Sequence, residues 1–462
     1  MRDSFPDDFI WGAATSSFQI EGATRADGRG QSIWDTFCAT PGKVANGDTG
    51  DPACDHYNHV AEDVSIMRNL GLQSYRFSIA WPRIMPTGRG AINGNGLDFY
   101  KRLVDSLLDA GIKPMATLYH WDLPQSLQDA GGWASRDTAK RFADYSYALF
   151  EELGDVVGLW VTINEPAVVS ILGHVTGEMA PGHTSVAEGM QVGHNLLLAH
   201  GLAVQAFRQS AAASARTNGG AGRIGITLSL GINDPATDRD CDIEAARLAD
   251  GMWDRFYLDA LFKNGYPEDV IMWLADRGHM PNENGLVEQF AADGDVIQAP
   301  MDFLGINYYT RNMVRRDDEA KPFQATGSAM PGAAVTAMGW EIYPEGLFRV
   351  VKRISDNYTG LPLMITENGA AYDDVLQLDG STVDDAVRVD YLKAHFEQAA
   401  RLCDSGVNLV GYYVWSLLDN FEWAFGYSRR FGIVHVDFGT GKRTMKKSAL
   451  WYRDWIAGIK RR

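Results

Sequence analysis

Apolar and polar positions alternate along this chain on two different scales. Eight short runs are almost continuously apolar: "FIWGAAT" (9–15), "SYRFSIAW" (74–81), "KPMATLYHW" (113–121), "LWVTINEP" (159–166), "RIGITLSL" (223–230), "DFLGINYYT" (302–310), "PLMITENG" (362–369) and "LVGYYVWSL" (409–417). Buried parallel strands read this way, because both faces of the sheet are covered. The longer segments between them follow a helical period. Over 97–110, Leu97, Tyr100, Val104, Leu107 and Leu108 fall on one face, and Gly111 supplies a stop. Eight strand–helix units in series predict an α/β fold. The expected architecture is a (β/α)₈ barrel with extended loops on the face where the strands end, occupying residues 1–462 as a single domain. A doubly wound open sheet fits less well. "GRGAINGNG" (88–96) follows no strand directly and lacks the glycine spacing of a nucleotide-binding turn, so it reads as a loop entering a helix.

The connections divide by the face they occupy. "SAAASARTNGGAG" (210–222) joins a helix to a strand and belongs at the bottom of a barrel, away from chemistry. "RRDDEAKPFQATGSAMPGAA" (315–334) and "AAYDDVLQLDGSTVDD" (370–385) follow strands and read as loops rimming the top, the second as a solvated acidic rim.

Polar residues concentrate where the strands finish. Gln19 follows the first strand and Arg76 lies in the second. His120, Trp121 and Asp122 end the third, and Asn164 and Glu165 the fourth. Asn307 and Tyr309 end the sixth, Glu367 ends the seventh, and Trp415, Glu422 and Trp423 follow from the eighth. A barrel brings all these ends to one mouth, with Glu165 and Glu367 across the axis from each other. Two carboxylates among Trp, Tyr, Asn and His suit cleavage of a glycosidic bond. One carboxylate attacks the anomeric carbon and the other, protonated, gives its proton to the leaving oxygen. Aromatic faces suit the C–H faces of sugar rings, and amides and imidazoles suit hydroxyls.

Composition removes other classes. With 42 Lys+Arg against 59 Asp+Glu, the formal charge is -17, which argues against nucleic acid and anionic membranes as partners. No run of about 18 apolar residues is present to span a membrane. The start, "MRDSFPDDFIWGAATSS", lacks the apolar region of a secretory signal. Cys38, Cys54, Cys241 and Cys403 are scattered and read as reduced thiols, so a cytoplasmic location is expected. No metal site is expected: His56 and His59 in "DHYNH" lack a third ligand and read as structural packing. Trp34, Trp81, Trp133 and Trp253 read as core, and Arg429 and Arg430 as a surface pair.

Eight stretches together resemble the β-glucosidase type of family 1 glycoside hydrolases: "FIWGAATSSFQIEG" (9–22), "SYRFSIAWPRI" (74–84), "ATLYHWDLP" (116–124), "TINEP" (162–166), "INYYT" (306–310), "MGWEIYPEGL" (338–347), "ITENG" (365–369) and "VWSLLDNFEWAFGYSRRFGIVHVD" (414–437). The resemblance spans nearly the whole chain. It implies a retaining barrel enzyme that acts on small β-linked glycosides without cofactor. It makes Glu165 the acid/base and Glu367 the nucleophile. It gives the sugar hydroxyls to Gln19, His120, Trp121, Asn164, Glu422 and Trp423, and the floor to Trp415. Tyr309 and Arg76 would keep Glu367 ionised, Asn307 would support Glu165, and Trp340 would line the leaving-group side. Glu422 stands where relatives acting on 6-phosphorylated sugars carry a small residue, which favours an unphosphorylated glucose-like sugar. Ala167 replaces a Trp that lines the leaving-group side in some members. The choice among glucoside, galactoside and fucoside stays open, as does transfer to acceptors other than water. The competing readings are a 6-phospho-β-glucosidase and an inactive sugar-binding protein on the same fold; inactive relatives typically lose one of the two glutamates, and both stand here.

Overall fold

The structure is a computed structural model describing residues 2–214, 216–217, 220–281, 285–377 and 380–459. Residues 215, 218 and 219 of the small-residue connection, and 378 and 379 of the acidic loop, lie outside these.

All eight expected strands form: β1 (Ile10–Ala14), β2 (Ser74–Ser78), β3 (Lys113–Tyr119), β4 (Leu159–Asn164), β5 (Arg223–Ser229), β6 (Phe303–Asn307), β7 (Leu363–Asn368) and β8 (Leu409–Trp415). Each lies parallel to its sequence neighbours, and β8 closes onto β1. Period-two alternation divides their side chains between two layers. Ile10, Met115, Val161, Phe303, Met364 and Tyr413 form one buried cluster inside the barrel. Trp11, Tyr75, Leu118, Trp160, Leu304, Ile365 and Tyr412 belong to the larger cluster shared with the surrounding helices.

The helix Gly94–Asp109 illustrates which effect wins locally. Two glycines in its first turn cost roughly 1 kcal/mol each relative to alanine. Burial of Leu97, Phe99, Tyr100, Leu103, Val104 and Leu107 outweighs that at about 1.5–3 kcal/mol per side chain. Gly96 is needed for proximity, since a Cβ there would lie 2.1 Å from the Arg83 carbonyl oxygen. The expected stop at Gly111 holds, with φ at 76°.

The structure corrects several sequence readings. β2 stops at Ser78 rather than running to residue 81, because Pro82 has no N–H for a ladder and the helix Trp81–Ile84 starts there. The stretch 315–334 is not wholly loop. Arg311–Arg316 pairs antiparallel with Ala325–Ser328 and parallel with Ile232–Pro235, forming a small sheet outside the barrel. The acidic loop is not simply a solvated rim. Arg388 and Lys446 bind its Asp374 carboxylate in the interior, and Arg388 also pairs with Asp385. Arg430 is likewise more than a surface residue, donating to Asp419 at 2.6 Å. His56 does pack structurally, at 2.7 Å from Asp63, which also pairs with Arg443.

Candidate active site

The mouth of the barrel carries the polar constellation, and the backbone is irregular where each carboxylate stands. The β4–β5 register shifts between Val161 and Asn164, just before Glu165. The β6–β7 register shifts between Ile365 and Glu367. Such irregularities re-aim a strand-end side chain. Glu165, Trp121 and Trp423 each adopt positive φ, at 52°, 79° and 51°. A non-glycine residue holds that conformation at a cost of about 1–3 kcal/mol, and only where its surroundings enforce it. Here Trp121 donates its indole N–H to the Asn164 carbonyl at 2.9 Å. Trp423 is gripped by Phe18, Trp34 and Trp121.

Glu367 is buried and strongly held. Arg76 donates to its Oε1 at 2.5 Å and Tyr309 to its Oε2 at 2.6 Å. Arg76 is itself fixed by Asn164 Oδ1 at 2.6 Å and Thr117 Oγ1 at 3.2 Å. Burial raises the Glu367 carboxyl above the ordinary carboxylate range, and Arg76, Tyr309 and Asn307 offset only part of that rise. Glu165 is equally buried, but its Oε1 accepts from a neutral amide, Asn307 Nδ2, at 2.9 Å. Burial first, and the charge of Glu367 second, push Glu165 up to about 8. A cation therefore favours ionisation of Glu367, while the nearby anion keeps Glu165 protonated at neutral pH.

The other candidates gather around this pair. Gln19 donates to the Phe421 carbonyl at 2.9 Å and approaches Glu422 Oε2 at 3.4 Å. Glu422 is pushed up to about 8 by burial, then by the charges of Glu367 and Glu165. His120 accepts from Asn164 Nδ2 at 3.1 Å, and burial lowers its pKa so that the ring is neutral. Among the described residues its Nδ1 has no hydrogen-bond partner. Its ring stacks 5.9 Å from Trp415 and 6.1 Å from Trp423. The Trp340 ring lies 5.4 Å from Tyr309 and 6.1 Å from Phe431. Two members have little capacity left for a ligand. The Trp121 N–H is spent on the backbone, and Asn307 is occupied by Glu165, Asn164 and Thr366. Ala167 is buried, so neighbours close over that position.

Several supporting residues escaped the sequence reading. Thr366 donates to Asn307 Oδ1 at 2.7 Å and Thr227 to Thr366 at 3.3 Å, tying three strands beneath the carboxylates. Their only signal in the sequence is a hydroxyl within an apolar run. Asn420 accepts from Gln19 at 3.1 Å. Asp122, which the sequence did place at the end of the third strand, is pushed up to about 7 by burial and accepts from Ser17 at 2.8 Å.

A closed parallel barrel with two buried, differently tuned carboxylates and stacked aromatics at its mouth defines a barrel enzyme of the glycosidase class. The chain belongs to Glycosyl hydrolase family 1, whose family model matches residues 1–460. It is 47% identical over 455 residues to Beta-glucosidase A of Acetivibrio thermocellus, covering 98% of each chain. It is 48% identical over 453 residues to Beta-glucosidase A of Thermotoga maritima, covering 98% of this chain and 97% of that one. The solved structure of a Thermotoga maritima β-glucosidase in complex with deoxynojirimycin superimposes with a TM-score of 0.91 at 47% identity, covering 98% of this chain and 99% of that one.

Proposed function

We propose that this chain is a retaining β-glucosidase that removes terminal non-reducing β-D-glucosyl residues by double displacement. The observation that carries the reading is the asymmetry of the two carboxylates. Glu367 is gripped by Arg76 and Tyr309, whereas Glu165 sits on a neutral amide with its pKa pushed up to about 8.

Glu367 attacks the anomeric carbon as Glu165 protonates the departing glycosidic oxygen. The bond to the aglycone breaks and an ester to Glu367 forms. Esterification removes the charge that had raised Glu165, so Glu165 then takes a proton from water, which displaces Glu367. Two inversions return the original configuration. Gln19, His120, Asn164, Glu422 and Trp423 bind the glucose hydroxyls, Trp415 forms the floor, and Trp340 lines the leaving-group side. Arg76, Asn307, Tyr309 and Trp121 position the reacting groups. The chain acts as one catalytic domain.

A cytoplasmic location is supported by four free cysteines. Among the described residues no helix is long and apolar enough to cross a membrane.

A panel of nitrophenyl glycosides tests the substrate class. Glucoside turnover is expected, with galactoside and fucoside ranking the breadth at the sugar's 4- and 6-positions. A 6-phosphoglucoside should be at least about 100-fold poorer in kcat/KM, because a buried phosphate needs cationic partners and Glu422, a carboxyl pushed up to about 8, offers none. Turnover of the phosphorylated sugar alone would overturn this reading.

A further inference from the structure

A second polar cluster lies outside the pocket, on the chain that follows β4. His174 belongs to the helical turn Val168–Val175, immediately after Glu165. His183 lies in the following loop, and Glu188 in the first turn of the helix Val186–Gln209. One ligand-capable atom from each of the three lies within 4.8 Å of the others. Ordinary hydrogen bonding accounts for part of the arrangement, since His183 Nδ1 meets Glu188 Oε1 at 2.6 Å. It does not account for His174. That ring is almost wholly buried, and its Nδ1 meets the Val169 carbonyl oxygen at 2.9 Å. A carbonyl only accepts, so Nδ1 carries the proton and Nε2 carries a lone pair. Among the described residues that Nε2 has no partner. A buried acceptor left empty is costly, and this one stands beside an imidazole and a carboxylate.

We propose that His174, His183 and Glu188 form a binding site for a divalent transition-metal ion of the zinc class. Two imidazoles and one carboxylate suit zinc and its neighbours and discriminate against calcium and magnesium, which prefer all-oxygen shells. The Val169 carbonyl then acts as the outer partner that orients a ligating histidine through its other nitrogen. His174 Nε2 is already prepared. At His183 the ion replaces the hydrogen between Nδ1 and Glu188 Oε1, and the ring carries its proton on Nε2 instead. Metal–ligand bonds of about 2.0–2.2 Å require ligand atoms roughly 3.3 Å apart, so the cluster must contract. The contraction falls on exposed His183 and half-buried Glu188, whose side chains are 43% and 29% accessible. The backbone around them is pinned: His183 N–H donates to Gly173 O at 3.0 Å, and Ser185 N–H to His174 O at 2.8 Å. A bound ion would clip residues 176–185 to the turn behind Glu165. The fourth position is open to water.

Zinc alone, added to the full chain previously treated with a chelator, tests the site by calorimetry and thermal unfolding. One equivalent should bind and raise Tm, because the folded state binds metal in preference to the unfolded one. Magnesium should do neither. His183→Ala removes an exposed ligand without touching the buried ring. It should keep the metal-free Tm of the parent and weaken zinc binding by about tenfold or more. His174→Gln, checked for folding by circular dichroism, should behave likewise. Absence of saturable zinc binding, or binding unaltered by His183→Ala, would overturn the proposal.

Discussion

Glu367→Gly is expected to lower kcat on nitrophenyl β-glucoside by about 10⁴-fold or more, the scale seen when a covalent nucleophile is removed. Azide or formate should then restore turnover. The deleted side chain leaves a space beneath the anomeric carbon, lined by Arg76 and Tyr309, both of which held the missing carboxylate. A small anion fits that electrostatic vacancy and attacks from the face Glu367 used. With azide the product should be the α-glucosyl azide, because one displacement has replaced two. The variant also leaves a buried guanidinium without its partner, which typically costs about 3–5 kcal/mol. Arg76 keeps its bonds to Asn164 and the Thr366 carbonyl, so a folded, less stable protein is expected, checked by circular dichroism before kinetics. Near-parent activity without added anion would remove Glu367 from the nucleophile role.

Glu165→Ala separates the two half-reactions by leaving group. Cellobiose or an alkyl glucoside needs its departing oxygen protonated, and kcat/KM should fall by about 10²–10⁴-fold. A dinitrophenyl glucoside departs unaided, so its kcat/KM should fall much less. Its kcat should still drop, because water attacks the ester without a base, and KM should drop with it as the glycosyl-enzyme accumulates. The pH profile supplies a second signature. Glu165 must be protonated for the first step, so parent kcat/KM is present below about 8 and lost as pH rises through that value. The alanine variant should lack this alkaline limb. Equal losses for both leaving-group classes would contradict proton donation by Glu165.

The barrel is legible in the sequence because a buried parallel strand has no polar face, and eight such runs recur. The carboxylates are legible for the opposite reason: Glu165 and Glu367 end apolar runs where charge is out of place. What surrounds them is less visible. Asn-Gly is by itself a turn signal, and Asn368 and Gly369 carry it at the end of the seventh run. In the structure Asn368 ends β7 and donates to the Tyr308 carbonyl at 2.7 Å, while Gly369 makes room for the Trp415 carbonyl, 1.7 Å from where a Cβ would stand. Thr227 and Thr366 look like ordinary β-branched strand residues, since nothing in a sequence distinguishes a hydroxyl aimed inward from one aimed at a helix. The family resemblance makes Trp121 a sugar contact, but its positive φ turns the indole N–H onto the Asn164 backbone. The His174–His183–Glu188 cluster follows no metal spacing, because an irregular loop rather than a helix sets the distance between its histidines.

The anomeric configuration of the first product formed is the most direct test of the paired-carboxylate account. Proton NMR of glucose released from an aryl β-glucoside, recorded before mutarotation, should show the β anomer first and the α signal growing in only later. An α anomer appearing first would mean a single inversion by water, and would contradict a covalent intermediate on Glu367.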